Sequence, residues 1–342
     1  MKNIRVVSAE RDRTEKIFLL VCSIALVISA VLGICMGSVK IPLSDFISAL
    51  FFDENTVNSQ IIYSVRMPRV AASVLAGIAL AVSGVIIQSV LENPLAAPSI
   101  IGVNSGAGFF AVLAMAIFPY KISVIPAAAF LGAIITVMTV YFIAVKNGAS
   151  KMTLVLAGVA VSNLLNSGID TITTFFPDSL NGITSFKIGG VMGMTFSKLY
   201  PACIYIAVGF ILAMLLSHEL DILSLGDRTA KSLGMNVKVI RFILLLSAAL
   251  LAGAAVSFAG LLSFVGLIVP HIARHFIKSG NMRLIPGTAL LGAVFVTLCD
   301  LISRTVFAPY EVQLGIIISY IGVPFFIYLI MKKKGGKHGE RT

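Results

Sequence analysis

From Val70 to Leu91 the chain runs for 22 residues without a charge. As helix, at about 1.5 Å per residue, such a run covers roughly 33 Å, enough to cross the ~30 Å hydrocarbon layer of a bilayer. Runs of this kind recur along the whole length, and no other feature limits the fold so strongly. A segment in lipid must satisfy its own backbone hydrogen bonds, and a helix does so within one stretch. Ten spans are expected, at about 17–37, 68–91, 99–118, 123–145, 152–175, 200–217, 240–260, 262–277, 284–303 and 314–331. Composition agrees: 58% of residues are hydrophobic, 12% are charged and the mean hydropathy is +1.00. That leaves too little polar surface for a water-soluble domain of 342 residues. The expected class is all-α and polytopic, with a segment 1–16, one membrane domain 17–331 and a basic tail 332–342.

An even number of spans puts both termini on one side. With the termini inside, inner segments hold 19 of the 26 Lys and Arg: five before the first span, two at 146–151, four at 218–241, three at 272–283 and five after Met331. This bias predicts cytoplasmic termini in a cell membrane, and it accounts for the net charge of +11 without nucleic acid. The first span is long enough to cross and has no small-x-small cleavage site, so it is read as retained. "LGIC" (32–35) is not read as a lipidation box, because Ile34 stands where a small residue is needed. Cys22, Cys35, Cys203 and Cys299 all lie in apolar runs and read as small hydrophobes, not a disulfide framework.

Enzymatic chemistry finds little support. No GxxxxGK[ST] phosphate loop occurs, so ATP hydrolysis is not expected in this chain. "HIARH" (271–275) sets two histidines one turn apart but lacks the glutamate of a zinc protease, and it reads as an interfacial helix end. No nucleophile has a visible base partner. No bound cofactor or metal is expected.

Polar residues at membrane depth are more informative. In the fifth span, Asn163, Asn166, Ser167, Asp170 and Thr174 recur at helical spacing and share one face. A carboxylate facing lipid near the bilayer centre costs roughly 2.5–3.5 kcal/mol, so this face should meet protein or water. A packing seam and a water-lined path both satisfy that requirement. The small residues of the second span and of "SAALLAGAAVSFAG" (247–260) favour close helix packing. In "LENPLAAPSIIG" (91–102), Pro94 and Pro98 forbid continuous helix, and the many apolar residues favour a packed re-entrant segment over a plain turn. The loop "SHELDILSLGDRTAKSLGMNVKVIR" (217–241) alternates apolar and charged residues around Gly226 and Gly234. It is either a connector on the membrane surface or a helix offered to a partner. Arg66 and Arg69, in "SVRMPRVAASVL", head the second span; they anchor it at the interface or meet something outside. Arg304 either does likewise or pairs with Asp300 four residues earlier.

Five motifs in order, Arg-x-Pro-Arg, "ENPLAAP", "LGDRTAKSLG", "GLLSFVGLIVPHIAR" and "YIGVPFFIYLI", make nearly the whole chain resemble the FecCD-type permeases. These are membrane subunits of ABC importers for iron chelates, haem and cobalamin. The resemblance implies the ten-helix architecture of type II ABC importers. It further implies a second permease copy or paralogue, two cytoplasmic ATPase subunits carrying ATP and Mg, and an extracytoplasmic solute-binding protein. It assigns ATPase coupling to the loop at about 218–239, through Leu225, Gly226, Asp227, Ala230, Leu233 and Gly234. It places Asn93, Pro94 and Leu95 at an inner gate, with 146–151 a second gate candidate by position. Arg66, Arg69 and Arg304 would dock the binding protein, and Asn163, Asn166 and Asp170 would line the pathway. The chain departs from the family pattern in lacking Trp, in Gln313 for a usual proline, and in Met282-Arg283 for a usual His-Arg pair. The expected function is ATP-driven import of a ferric siderophore or related chelate, with cobalamin or haem as the next cargo. An ion-coupled secondary transporter using Asp170 is the alternative from another class.

Overall fold

Spans that satisfy their own backbone should form helices linked by short turns, and they do. The computed structural model describes residues 2–37, 42, 45–46, 56–121, 123–148, 150–177 and 182–335; of 2–11 and 332–335 it describes the backbone alone. The tail beyond residue 335 lies outside the described residues. The elements are α1 (Lys2–Cys35), α2 (Val57–Val90), α3 (Val103–Ile117), α4 (Val124–Lys146), α5 (Lys151–Phe175), α6 (Ile183–Ile188) and α7 (Phe196–Leu215). They continue with α8 (Ser217–Leu223), α9 (Asp227–Ser232), α10 (Val237–Ala259), α11 (Val265–Phe276), α12 (Asn281–Thr305) and α13 (Leu314–Gly335). No strand occurs among the described residues.

Among the described residues, eight helices are long and apolar enough to cross a membrane: α1, α2, α4, α5, α7, α10, α12 and α13. The two other expected spans are present but short. At about 1.5 Å per residue, α3 with 15 residues reaches roughly 23 Å and α11 with 12 roughly 18 Å. A non-helical stretch precedes each. Residues 91–102 form turns and a 3-10 segment at Pro98–Ile101, and residues 260–264 break the path between α10 and α11. Ala96, Pro98 and Ile101 are buried, so the first break is packed in protein, as a re-entrant stretch in a bilayer must be. The first break packs against the start of α11: a Cβ added at Gly266 would stand 3.0 Å from Pro98 Cδ.

The expected start of the second span needs correction. Instead of opening near 68, α2 begins at Val57, capped by Thr56, whose Oγ1 accepts from Ser59 N–H. It passes a π-turn at Ile62–Arg66 before resuming as α-helix at Met67. Pro68 has no N–H to give to a preceding carbonyl, and a local change of winding there absorbs the lost bond. Both arginines therefore lie inside a long helix instead of marking its end.

Helices α2, α10 and α12 form the interior of the bundle, while α1, α5, α7 and α13 lie at its periphery. Small residues allow this. A Cβ at Gly77 would fall 2.2 Å from Gly292 O on α12, and one at Gly84 only 2.0 Å from Gly266 O on α11. Without a hydrophobic force between helices in lipid, such close backbone approach is a main source of attraction. In its N-terminal half, α1 is held by Glu15. Glu15 accepts from Lys278 N–H at 3.0 Å, Ser279 Oγ at 2.6 Å and Arg283 Nη1 at 3.0 Å. Helix α1 thus runs unbroken across the boundary expected at residue 16.

Candidate functional site

Three groups of residues carry the candidate chemistry. The first is the exposed face of α5. Ser150 starts this helix, its Oγ accepting from Thr153 N–H at 3.0 Å. Met152, Leu156, Val159, Asn163, Asn166, Ser167, Asp170 and Thr174 are all exposed in the single chain. The same face is therefore apolar near its N-terminus and polar along its second half. The polar half borders a cavity of about 440 Å³ lined by Asn104, Ser105, Asn166, Ile169, Asp170, Lys187 and Leu261. Lys187 and Leu261 also line a neighbouring cavity of about 590 Å³, with Ser263, Ser319 and Tyr320. Lys187, on the short helix α6, was not singled out from sequence as a path residue. Its position in the loop before α7 gave no sign that it would fold back beside α5.

The second group is the end of the bundle where α2 stops and α5 and α10 start. Asn93 Oδ1 accepts from Leu95 N–H at 3.0 Å, closing the turn that Pro94 forces. Asn93 and Pro94 are exposed and Leu95 half-buried. Glu92 sits in the left-handed region at φ 49°, which a non-glycine residue holds at a cost of ~1–3 kcal/mol and which marks a position maintained by its surroundings. Its carboxylate is ion-paired with Lys151 Nζ. Lys151 Nζ also lies 3.6 Å from Asp227 Oδ1, and Arg241 Nη2 donates to that same oxygen at 2.6 Å. The loop residues expected to couple divide accordingly. Leu225, Leu233 and Gly234 are exposed, Ala230 is fully buried, Gly226 takes φ 102° as only glycine readily does, and Asp227 faces inward to Lys151 and Arg241. Leu225 and Leu233 are 65% and 63% exposed, two large apolar side chains left uncovered on one short loop. Glu92, Lys151 and Arg241 were missed in sequence as members of this group, because 59 residues separate Glu92 from Lys151 and 76 separate Lys151 from Asp227 along the chain.

The third group is at the opposite end. Arg66 Nη1 donates to Ile34 O at 2.5 Å and Cys35 O at 2.8 Å, closing the last carbonyls of α1. Arg69 Nε donates to Asp300 Oδ1 at 3.0 Å and its Nη1 to Glu311 Oε2 at 2.8 Å. Arg304 Nη2 donates to Gly33 O at 2.5 Å, and its Nε lies 3.5 Å from Asp300 Oδ2. The intrahelical pair of Arg304 with Asp300 is therefore present. All three arginines are buried, and each meets acceptors of this chain. The positions expected to face a docking protein are thus brought together, but as a knot joining α1, α2 and α12.

Comparison with known proteins places this geometry. The family model described as the FecCD transport family matches residues 25–332. The chain belongs to the FecCD transport family. Among curated FecCD relatives, the iron-uptake system permease protein FeuB of Bacillus subtilis is 37% identical over 328 residues, spanning 95% of this chain and 98% of the relative. The iron(3+)-hydroxamate import system permease protein FhuB of the same organism is 38% identical over 344 residues, spanning 98% and 89%. A solved inward-facing ABC transporter assigned to the metal-chelate type superimposes with a TM-score of 0.82 at 27% identity, over 93% of this chain and 99% of the other. The FecCD motifs read from the sequence lie on α2, the 91–102 break, the α8–α9 loop, α11 and α13.

Proposed function

We propose that this chain is the membrane subunit of an ABC importer for ferric siderophores or related iron chelates, working with separate ATPase subunits. The observation that carries this reading is the exposed face of α5. Asn163, Asn166 and Asp170 lie open at membrane depth in the single chain, where lipid contact is unfavourable. A second permease copy facing α5 across a water-filled path removes that contact. The apolar half of the face, Met152 to Val159, then closes the path on the side of the gate turn. FeuB, FhuB and the metal-chelate transporter support the iron-chelate cargo and the dependence on ATP.

In this reading both termini are cytoplasmic, Leu225 and Leu233 seat in the ATPase, and Asn93, Pro94 and Leu95 form the gate turn. The binding protein meets the end where α1 stops. Within this bonded group, three guanidinium groups meet the two carboxylates of Asp300 and Glu311. With the arginines internally bonded, they steer an acidic receptor through their potential more than through direct ion pairs. ATP and Mg belong to the partner ATPase, and this chain contributes the path.

The test is uptake of 55Fe, presented as ferric hydroxamate and as ferric citrate, by cells whose uptake depends on this chain. Uptake should require an intact ATPase partner and fall at least severalfold with Asp170→Asn. Uptake that persists without any ATPase would sink the reading in favour of an ion-coupled carrier. Labelled cobalamin or haem accumulating in place of iron would redirect the cargo within the family.

A further inference from the structure

The charged residues around Asp227 have no role in the reading above, yet they join four separate parts of the chain. Glu92 belongs to the gate turn, Lys151 opens α5, Asp227 opens α9, and Arg241 lies in the first turns of α10. Lys151 stands between the two carboxylates, paired with Glu92 and 3.6 Å from Asp227. The turn and the loop also touch directly: a Cβ added at Gly226 would lie 3.8 Å from Glu92 Oε1. Both contact points need unusual backbone, φ 49° at Glu92 and φ 102° at Gly226.

We propose that Lys151 is a positioning residue that binds the gate turn and the α8–α9 loop into one unit, carrying displacement of the loop to the turn and to α5. Without its ammonium group, Glu92 loses its ion-pair partner while Asp227 keeps Arg241, so loss of Lys151 unlinks the turn from the loop. Arg241 holds the fixed end. Its side chain is 3% exposed on interior helix α10, whereas those of Lys151, Glu92 and Asp227 are 25%, 29% and 32% exposed. Hydrated pairs of this kind break and re-form readily, as a moving contact requires. The path by which α5 follows is short, because Lys151 is its first residue. The importance of this motion for import rests on the function proposed above; the joining of turn and loop does not.

Hydrogen exchange of the full chain in lipid nanodiscs, without cargo, tests the joining. In Lys151→Gln, amides of 91–97 and 226–235 should exchange about three- to tenfold faster together, while those of α12 stay unchanged. Lys151→Arg should stay near wild type. Faster exchange confined to residues near 151, or an Arg variant as fast as the Gln variant, overturns the proposal. Vesicles holding the assembled transporter add the second arm, with 55Fe as ferric hydroxamate. Lys151→Gln should raise the ATP hydrolysed per iron imported severalfold, and Lys151→Arg should not. An unchanged ratio in Lys151→Gln overturns the role in import, whereas wild-type vesicles that import nothing indict the importer reading and leave the exchange result to judge the joining.

Discussion

Two charged clusters of similar size sit at opposite ends of the bundle and differ in their access to water. At the end of α12, Arg69, Asp300 and Arg304 have side chains 10%, 1% and 3% exposed; both arginines pair with Asp300, and Arg304 also bonds the Gly33 carbonyl of α1. At the start of α5, Glu92, Lys151 and Asp227 remain about a quarter to a third exposed. Buried charges lose hydration that only complete pairing offsets, so removing one partner is severe. Hydrated charges contribute little to stability, and the protein can rearrange them at little expense. The same residue types therefore make a rivet at one end and a movable contact at the other.

The sharpest way to break this contrast is Asp300→Ala, which strands Arg69 and Arg304 in the interior. It should lower the stability of the detergent-solubilised protein by ~3–5 kcal/mol, read from its denaturation midpoint. A loss below ~1 kcal/mol would mean that water reaches the knot and the two ends are alike. Arg66→Ala comes next. It leaves the Ile34 and Cys35 carbonyls without their guanidinium donor and should cost about 1–3 kcal/mol in the same measurement. Glu92→Gln should cost at most ~1 kcal/mol in stability while lowering iron uptake, a separation that a purely structural residue would not show. The smallest effect is that of salt. Raising ionic strength from about 0.1 to 1 M shortens the screening length from roughly 10 to 3 Å. Exchange should quicken in 226–235 but not around Asp300, and equal acceleration at both ends would remove the distinction.

How much was legible in the sequence follows the range of the interactions involved. Helix content, the break forced by Pro94 and Pro98, and the small-residue faces of α2 and α10 depend on neighbours a few residues apart, and all were readable. The shared face of Asn163, Asn166 and Asp170 was readable too, since periodicity along one helix produces it. That the face lies open was not, because exposure depends on which helices pack beside α5. The start of α2 at Val57 escaped notice because Arg66 and Arg69 read as a membrane boundary, and only their distant acceptors permit them to be buried within the bundle. Of the residues expected to couple, Leu225 and Leu233 are exposed as a docking surface requires, while Ala230 is packed away and Asp227 turns inward.

Hydropathy and charge bias by themselves determined that this is a multi-pass helical membrane protein, and five ordered motifs determined its family. Those properties are set by the cost of exposing backbone and charge to lipid, which acts on each segment separately. The tertiary structure alone decided which charges are riveted and which stay free to exchange, and that Lys151 lies between Glu92 and Asp227. Such pairings join residues far apart in the chain, and no local energy term specifies them until the helices have packed.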